Sequence, residues 1–410
     1  MKRNIRLKEQ QALSTVIHTP RNTYWEIRPT LDKKLQFRCN TDQDGFITTG
    51  NYVSSSKRIF IMGDSFVESM YSTEYLRISS CLERELFNHG LDFQVFNTGV
   101  SGTTSLNILN SLLNKVVLYK PSLIVVFIPT NDVYANNYKD GMWNKTKLFG
   151  NIAPPLIDSD FDNILTAEKI EDTVKIYEIM NNVCKVFNIK LLVSASPFID
   201  VIDDNFYKIS KAAHQDACVK RKTLYKSIFE FCKQNNVSYF ETKDIVDRKF
   251  FYDDVHLNDC GGRVFSDLIF NNIVKFLPKE TKSLSEEFII DDINVLTDDT
   301  IWMAIGSTQY EIAHIVLYYQ TDCNEDAIKN NALFCLKFNT DDSTHDLEGL
   351  RYSNSVGYFN YLNTDKNLKV GCSLKFKTPQ YTKSFKIGFR SWHKTETVKL
   401  KNIKVVVFYK

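Results

Sequence analysis

The chain has almost no net charge: 51 Lys and Arg against 49 Asp and Glu leave a formal +2. A nucleic-acid binder concentrates basic residues, so this balance argues against that class and leaves a neutral or mixed-charge partner. Paired cysteines are also missing. The nine Cys stand singly, as at Cys39, Cys81, Cys184 and Cys218, and none forms a CxxC pair. Zinc and thioredoxin-like chemistry therefore lack support, and scattered thiols suit a reducing compartment. No apolar run approaches the length of a membrane span. The first residues, MKRNIRLKEQQALS, are basic, but no apolar core follows them as a secretory signal requires. A cytoplasmic location without a membrane span is the expectation. No metal, nucleotide or flavin motif occurs, so no cofactor is expected. No internal repeat of the solenoid kind is present.

What remains is a globular composition, with 43% hydrophobic and 24% charged residues in 410. That length exceeds one ordinary domain, and two are expected. From about residue 58 to 278, apolar runs of strand length recur: RIFIM at 58, FQVFN at 93, LIVVFI at 123, KLLVSA at 190 and VSYF at 237. Near-continuous apolar runs suit strands buried on both faces of a parallel sheet. Between them lie stretches of helical period. SSCLERELFNHG ends on a glycine stop, while TSLNILNSLLNKVVLYKP and GGRVFSDLIFNNIVKFLP end on prolines. Strands alternating with helices predict an α/β fold, a three-layer α/β/α parallel sheet.

The pattern changes after Pro278. KETKSLSEEF is polar and reads as a linker, placed at residues 281–300. From 301 to 410, strand signals recur every ten to fifteen residues: IWMAIG, HIVLYYQ, ALFCLKFN, GYFNYLN, KVGCSLKFKT, SFKIGFRSW and VKLKNIKVVVF. This spacing predicts an all-β sandwich. Residues 1–57 are poorly periodic and are expected to pack on the first domain, 58–280, as a lead-in segment.

Four short stretches follow predicted strands and carry chemistry. The first strand runs straight into Gly63-Asp64-Ser65. Two readings compete: a capped helix start, or a nucleophilic serine on a sharp strand-to-helix turn. Asn97-Thr-Gly-Val-Ser-Gly102-Thr-Thr follows the second strand. Gly102 there is a turn residue, or a point where a backbone N–H comes close to a ligand. Asn131, in Pro129-Thr-Asn-Asp, either caps a turn or aims its amide into the same crevice. In Asp253-Asp254-Val255-His256, a carboxylate and an imidazole three residues apart can meet. A satisfied surface pair is the alternative. All four stretches lie at the carboxyl ends of parallel strands, where ligands bind in open α/β sheets.

Taken together, GDSF, NTGVSGTT, TND and DDVH resemble the four blocks of the SGNH (GDSL-type) hydrolases, over residues 57–278. The resemblance implies Ser65 as nucleophile, His256 as general base and Asp253 as its orienter. It also implies an oxyanion hole from the Ser65 and Gly102 amides and the Asn131 side chain. Asp64 is expected to hold the turn. One departure stands out: the family often carries glycine four residues after the serine, and this chain has Ser69.

Such residues perform acyl-ester chemistry through an acyl-serine. Water as acceptor gives an esterase; a sugar hydroxyl gives an acyltransferase, which needs an activated donor such as acetyl-CoA. The long polar, aromatic segment from Tyr134 to Asp162 reads as a substrate wall, with Tyr134, Tyr138 and Trp143 as candidate sugar-stacking residues. The β-rich region resembles jelly-roll carbohydrate-binding modules, on its strand pattern and on Tyr358, Phe359, Tyr361 and Trp392. The layout also resembles that of polysaccharide O-acetyltransferases. A carbohydrate O-acetylesterase or O-acetyltransferase, working on capsule or lipopolysaccharide precursors, is the expectation. A catalytically silent glycan binder and a lipase or thioesterase are the alternatives.

Overall fold

A computed structural model describes residues 2–20, 30–31, 36–51, 55–155, 169–200, 210–242, 247–277, 285–295, 299–305, 310–322, 332–339, 347, 350–362, 372–391 and 398–409. The chain divides into two compact units, Met1–Gly50 with Ser55–Pro278 and Asn51–Ser54 with Lys279–Lys410.

The first unit is built on five parallel strands: β1 (Arg58–Met62), β2 (Gln94–Asn97), β3 (Leu123–Phe127), β4 (Lys190–Ser194) and β5 (Ser238–Phe240). Their order across the sheet is β2-β1-β3-β4-β5. Strands β1 to β4 read as near-continuous apolar runs because both faces are covered, while the edge strand β5 exposes Tyr239. Phe60 and Met62 of β1 enter a core shared with α2 (Ser105–Asn114), α3 (Ile170–Val186) and α4 (Lys211–Gln234). Ile59 and Ile61 point the other way, onto α1 (Ile78–Asn88) and α5 (Asp259–Ile273). The resulting three layers are those expected of the sequence. In this strand order the chain reverses direction across the sheet between β1 and β3, so a crevice opens at their carboxyl ends. Helix α2 is shorter than its periodic stretch: it stops at Asn114 and the chain continues as a 3-10 turn over Val116–Tyr119. No helix among the described residues is long and apolar enough to cross a membrane.

Residues 1–50 belong to this unit. Thr15–His18 pairs with Phe37–Asn40, and Asn4–Ile5 pairs with Ile152–Ala153, both antiparallel.

Among the described residues, the strands of the second unit are antiparallel, in two five-stranded sheets. One holds Ser285–Ile290, Ile293–Val295, Ile312–Asp322, Cys372–Lys377 and Val398–Tyr409. The other holds Ile301–Ile305, Ala332–Phe338, Arg351–Ser353, Gly357–Leu362 and Phe385–Ser391. Phe334 and Phe376 bring the two sheets together, with ring centroids 4.7 Å apart. The range 281–300, expected to be a linker, contains two strands. Among the described residues, Ser285–Ile290 pairs only with Val398–Tyr409 and so forms a sheet edge. Edge strands carry charge to block further pairing, which is why Glu286 and Glu287 disguised this one. Tyr358 is buried, and Phe359 and Tyr361 pack over Leu333, Cys335 and Val356. Trp392 lies outside the described residues.

Candidate active site

Strand β1 delivers Ser65 to the crevice by a very short route. Asp64 is the N-cap of a one-turn helix, Ser65–Glu68, and its Oδ1 accepts from Phe66 N at 3.0 Å. The capping residue and the half-buried serine are therefore adjacent residues of one turn, so the cap does not exclude a nucleophile at Ser65. The turn ends at Ser69, which lies in the left-handed region at φ 51°. That conformation favours glycine, which explains the residue the family often carries there. Ser69 Oγ donates to Phe66 O at 3.0 Å.

His256 arrives from the loop between β5 and α5. Its Nε2 lies 2.8 Å from Ser65 Oγ, across 191 residues of chain. Its Nδ1 lies 2.8 Å from Asp253 Oδ2. Asp253 is fully buried, and its Oδ1 also accepts from the amides of Val255 at 2.9 Å and His256 at 2.8 Å. The imidazole is thus held from one side, and Tyr252 stacks on it with interplanar angle 6°. The neighbouring Asp254 turns away: its Oδ2 lies 3.7 Å from Nδ1 of the buried His214. With Nδ1 on a carboxylate, the ring presents Nε2 as a proton acceptor to the serine hydroxyl.

These contacts carry a serine, an imidazole and a buried carboxylate in one relay, and the sequence around them is that of a family. The chain belongs to the GDSL-like lipase/acylhydrolase family. The family profile matches residues 59–269. GDSL, or SGNH-type, hydrolases are serine hydrolases of ester bonds that need no cofactor. Among solved structures, a GDSL-like lipase from Bacteroides thetaiotaomicron is 20% identical, covering 54% of this chain and 90% of its own, with TM-score 0.37. An acetyl xylan esterase is 16% identical over 52% of this chain and 98% of its own, with TM-score 0.37. A carbohydrate acetylesterase family member from Sinorhizobium meliloti is 15% identical over 54% of this chain and 99% of its own, also with TM-score 0.37. No curated protein matches the chain.

The other GDSL-block residues gather around the same turn. Asp64 Oδ2 accepts from Thr130 N and Thr130 Oγ1, each at 2.7 Å, and from Asn131 Nδ2 at 3.1 Å. Asn131 Nδ2 also donates to Thr103 O at 3.1 Å. Asn97 donates to Val67 O at 2.9 Å and accepts from Gly99 N at 2.8 Å. Gly99 is needed for closeness: a Cβ there would stand 2.2 Å from Glu68 N. Gly102 adopts φ +76°. Among the described residues, neither the Ser65 amide nor the Gly102 amide donates a hydrogen bond. Buried or half-buried amides are usually paired, so each of these N–H groups is open to a ligand oxygen.

Asp132 sits directly behind Asn131, fully buried. It accepts from Ser105 N at 2.8 Å and from the Ser105 hydroxyl. Burial nevertheless raises its pKa to about 7, and the nearby Asp64 adds to the rise.

Of the three aromatic candidates, Tyr134 and Trp143 are 38% and 50% exposed. Tyr138 is not available: it is buried and packs against Phe149 at 6.0 Å, so it anchors the segment instead of facing substrate. Residues 156–162 of that segment lie outside the described residues. A cavity of ≈ 630 Å³ opens beside the ends of β4 and β5, lined by Phe198, Tyr225, Phe229 and Tyr239 among others. Ser65, Asn131 and His256 do not line it, so it is not the crevice of the serine. Among the described residues, no His, Cys, Asp and Glu side chains cluster to hold a metal ion. Sequence reasoning missed Lys8, Gln10 and Glu68, which surround the Gly102 loop. The only local signal was a carboxylate, Glu68, three residues after the serine.

Proposed function

We propose that this GDSL hydrolase acts on O-acyl groups, O-acetyl above all, of a carbohydrate, through an acyl-Ser65 intermediate. The observation that carries the reading is the relay Ser65 Oγ–His256 Nε2 at 2.8 Å and His256 Nδ1–Asp253 Oδ2 at 2.8 Å. His256 takes the Ser65 proton as Oγ attacks the acyl carbonyl carbon. Negative charge then develops on the carbonyl oxygen, where the Ser65 and Gly102 amides and the Asn131 amide group donate. Asn131 exchanges one of its present bonds, to Asp64 or Thr103, to do so. Such donors are each worth about 10²–10³-fold in rate. The intermediate collapses, the sugar oxygen leaves with the proton from His256, and the acyl group stays on Ser65. A water or a sugar hydroxyl, deprotonated by His256, then attacks the acyl-serine and restores Ser65. Asp253 holds the imidazole tautomer and stabilises its protonated form.

The carbohydrate reading is supported by the polar segment after β3, which exposes Tyr134 and Trp143. Flat aromatic faces among polar groups suit sugar rings better than a long acyl chain. The test supplies an acetylated donor with and without sugar acceptors and follows acetate against acetylated sugar. Acetate alone assigns an esterase; acetyl on the sugar at comparable rate assigns a transferase, with acetyl-CoA as one donor to try. Wild-type turnover in Ser65→Ala would refute the nucleophile. Sugar binding with no turnover and no fluorophosphonate adduct would replace the reading with a silent glycan binder.

A further inference from the structure

The loop bearing Gly102 is held by residues distant in sequence. Glu68, on the helix begun by Ser65, accepts from Ser101 N at 2.6 Å and from the Ser101 hydroxyl. Gln10 Nε2 donates to Glu68 Oε1 at 3.1 Å and to Gly99 O at 3.3 Å. Lys8 completes the enclosure: its ammonium donates to the carbonyls of Gly102 and Leu148.

Lys8 is 7% exposed, which is rare for lysine. A buried ammonium is costly unless its donors are used, so its place has to be enforced. The segment that carries it is tied down along its length. Asn4–Ile5 pairs with Ile152–Ala153, Arg6 N donates to Asn151 O at 2.8 Å, and Glu9 pairs with Lys115 at 2.8 Å. The ammonium also fills the space beside the Gly102 α-carbon. A Cβ on Gly102 would stand 3.1 Å from Lys8 Nζ and 3.1 Å from Leu148 Cδ1. A glycine at positive φ has the widest backbone freedom of any residue. Its carbonyl is anchored by Lys8, while its own amide has no partner among the described residues.

We propose that Lys8 is a positioning residue for the oxyanion: Glu68 holds the Ser101 N–H on one side and Lys8 the Gly102 carbonyl on the other, so the Ser101–Gly102 peptide between them, which carries the Gly102 N–H, keeps one orientation. This rests on the acyl-serine reading above. It makes the N-terminal segment a working part of the catalytic unit, because donors stabilise a developing oxyanion only when oriented beforehand.

The test is steady-state kinetics on an acetyl ester for the wild type, Lys8→Met, Lys8→Arg and Ser65→Ala, with thermal unfolding of each. Methionine keeps the stem and removes the charge and donors. Lys8→Met should lower kcat by about 10–100-fold, less than deletion of a donor itself, with KM within about two-fold. Its Tm should fall by only a few degrees, and Lys8→Arg should recover most of the loss. If Lys8→Met does not fold, Lys8→Gln is read by the same criteria. A kcat within about two-fold of wild type overturns the inference, as does a loss that arginine does not repair. Ser65→Ala separates the two layers. Full turnover in that variant overturns the acyl-serine reading and the Lys8 role with it. Lost turnover there, alongside wild-type kcat in Lys8→Met, overturns the Lys8 role alone.

Discussion

Asp64 Oδ2 accepts a hydrogen bond from Asn131 Nδ2 at 3.1 Å, joining the residue before Ser65 to the loop after β3. The same carboxylate takes Phe66 N, Thr130 N and the Thr130 hydroxyl, so it accepts four bonds from inside the protein. An ionised carboxylate is acceptor-only and suits four donors. Asp64→Asn keeps the shape but turns an NH₂ group towards at least one of them. The expected result is a kcat loss of about 10²-fold or more, since Asn131 is displaced. Urea unfolding should show a stability loss of about 2 kcal/mol. A variant with wild-type kcat would detach Asp64 from the site.

The two adjacent aspartates make a matched comparison. Asp253 holds His256 Nδ1, while Asp254 faces His214. Asp253→Asn should reduce kcat by about 10⁴-fold through the wrong imidazole tautomer. Asp254→Asn should keep kcat within about an order of magnitude. Equal losses in the two variants would mean that the loop as a whole, and not the Asp253 contact, matters.

Ser69 occupies the left-handed region at φ 51° and donates to Phe66 O at 3.0 Å. The conformation costs a non-glycine residue about 1 kcal/mol, and the hydrogen bond returns about as much. Ser69→Gly relieves the first and loses the second, so its stability should stay within about 1 kcal/mol of wild type. Ser69→Ala keeps the backbone cost and loses the bond. It should be less stable than Ser69→Gly by about 1 kcal/mol in urea unfolding; the reverse order would refute this account.

Strands β1 to β4 of the first sheet were legible because each is covered on both faces, which writes burial directly into runs such as LIVVF at Leu123–Phe127. The neighbourhood of Ser65, Asn131 and His256 was legible because each closes or follows a strand, and parallel strands bring their ends to one edge. The bracing of Gly102 was not. Lys8 meets Gly102 across 94 residues and Leu148 across 140, and a segment with almost no periodicity carries no sign of such partners. Tyr138 was misread because an aromatic in a polar loop looks the same whether it is an anchor or a platform. The Ser285–Ile290 strand was hidden by the charges that an edge requires.

Asp132 gives the fold a pH dependence of its own. Burial raises its carboxyl from 3.8 to about 7 in the folded protein. Between those values the folded carboxyl holds a proton that the unfolded chain has released. Folding therefore takes up a proton, and this contribution is fully present below about pH 4 and lost as pH rises through about 7. Asp132→Asn does not titrate. The wild type should lose stability relative to that variant as pH climbs across this window, at up to about 1.4 kcal/mol per pH unit. Urea unfolding of both proteins at intervals from pH 4 to pH 8 reads the difference directly. A gap that stays flat, or that moves in favour of the wild type with rising pH, would mean that the Ser105 hydrogen bonds outweigh burial and keep Asp132 ionised.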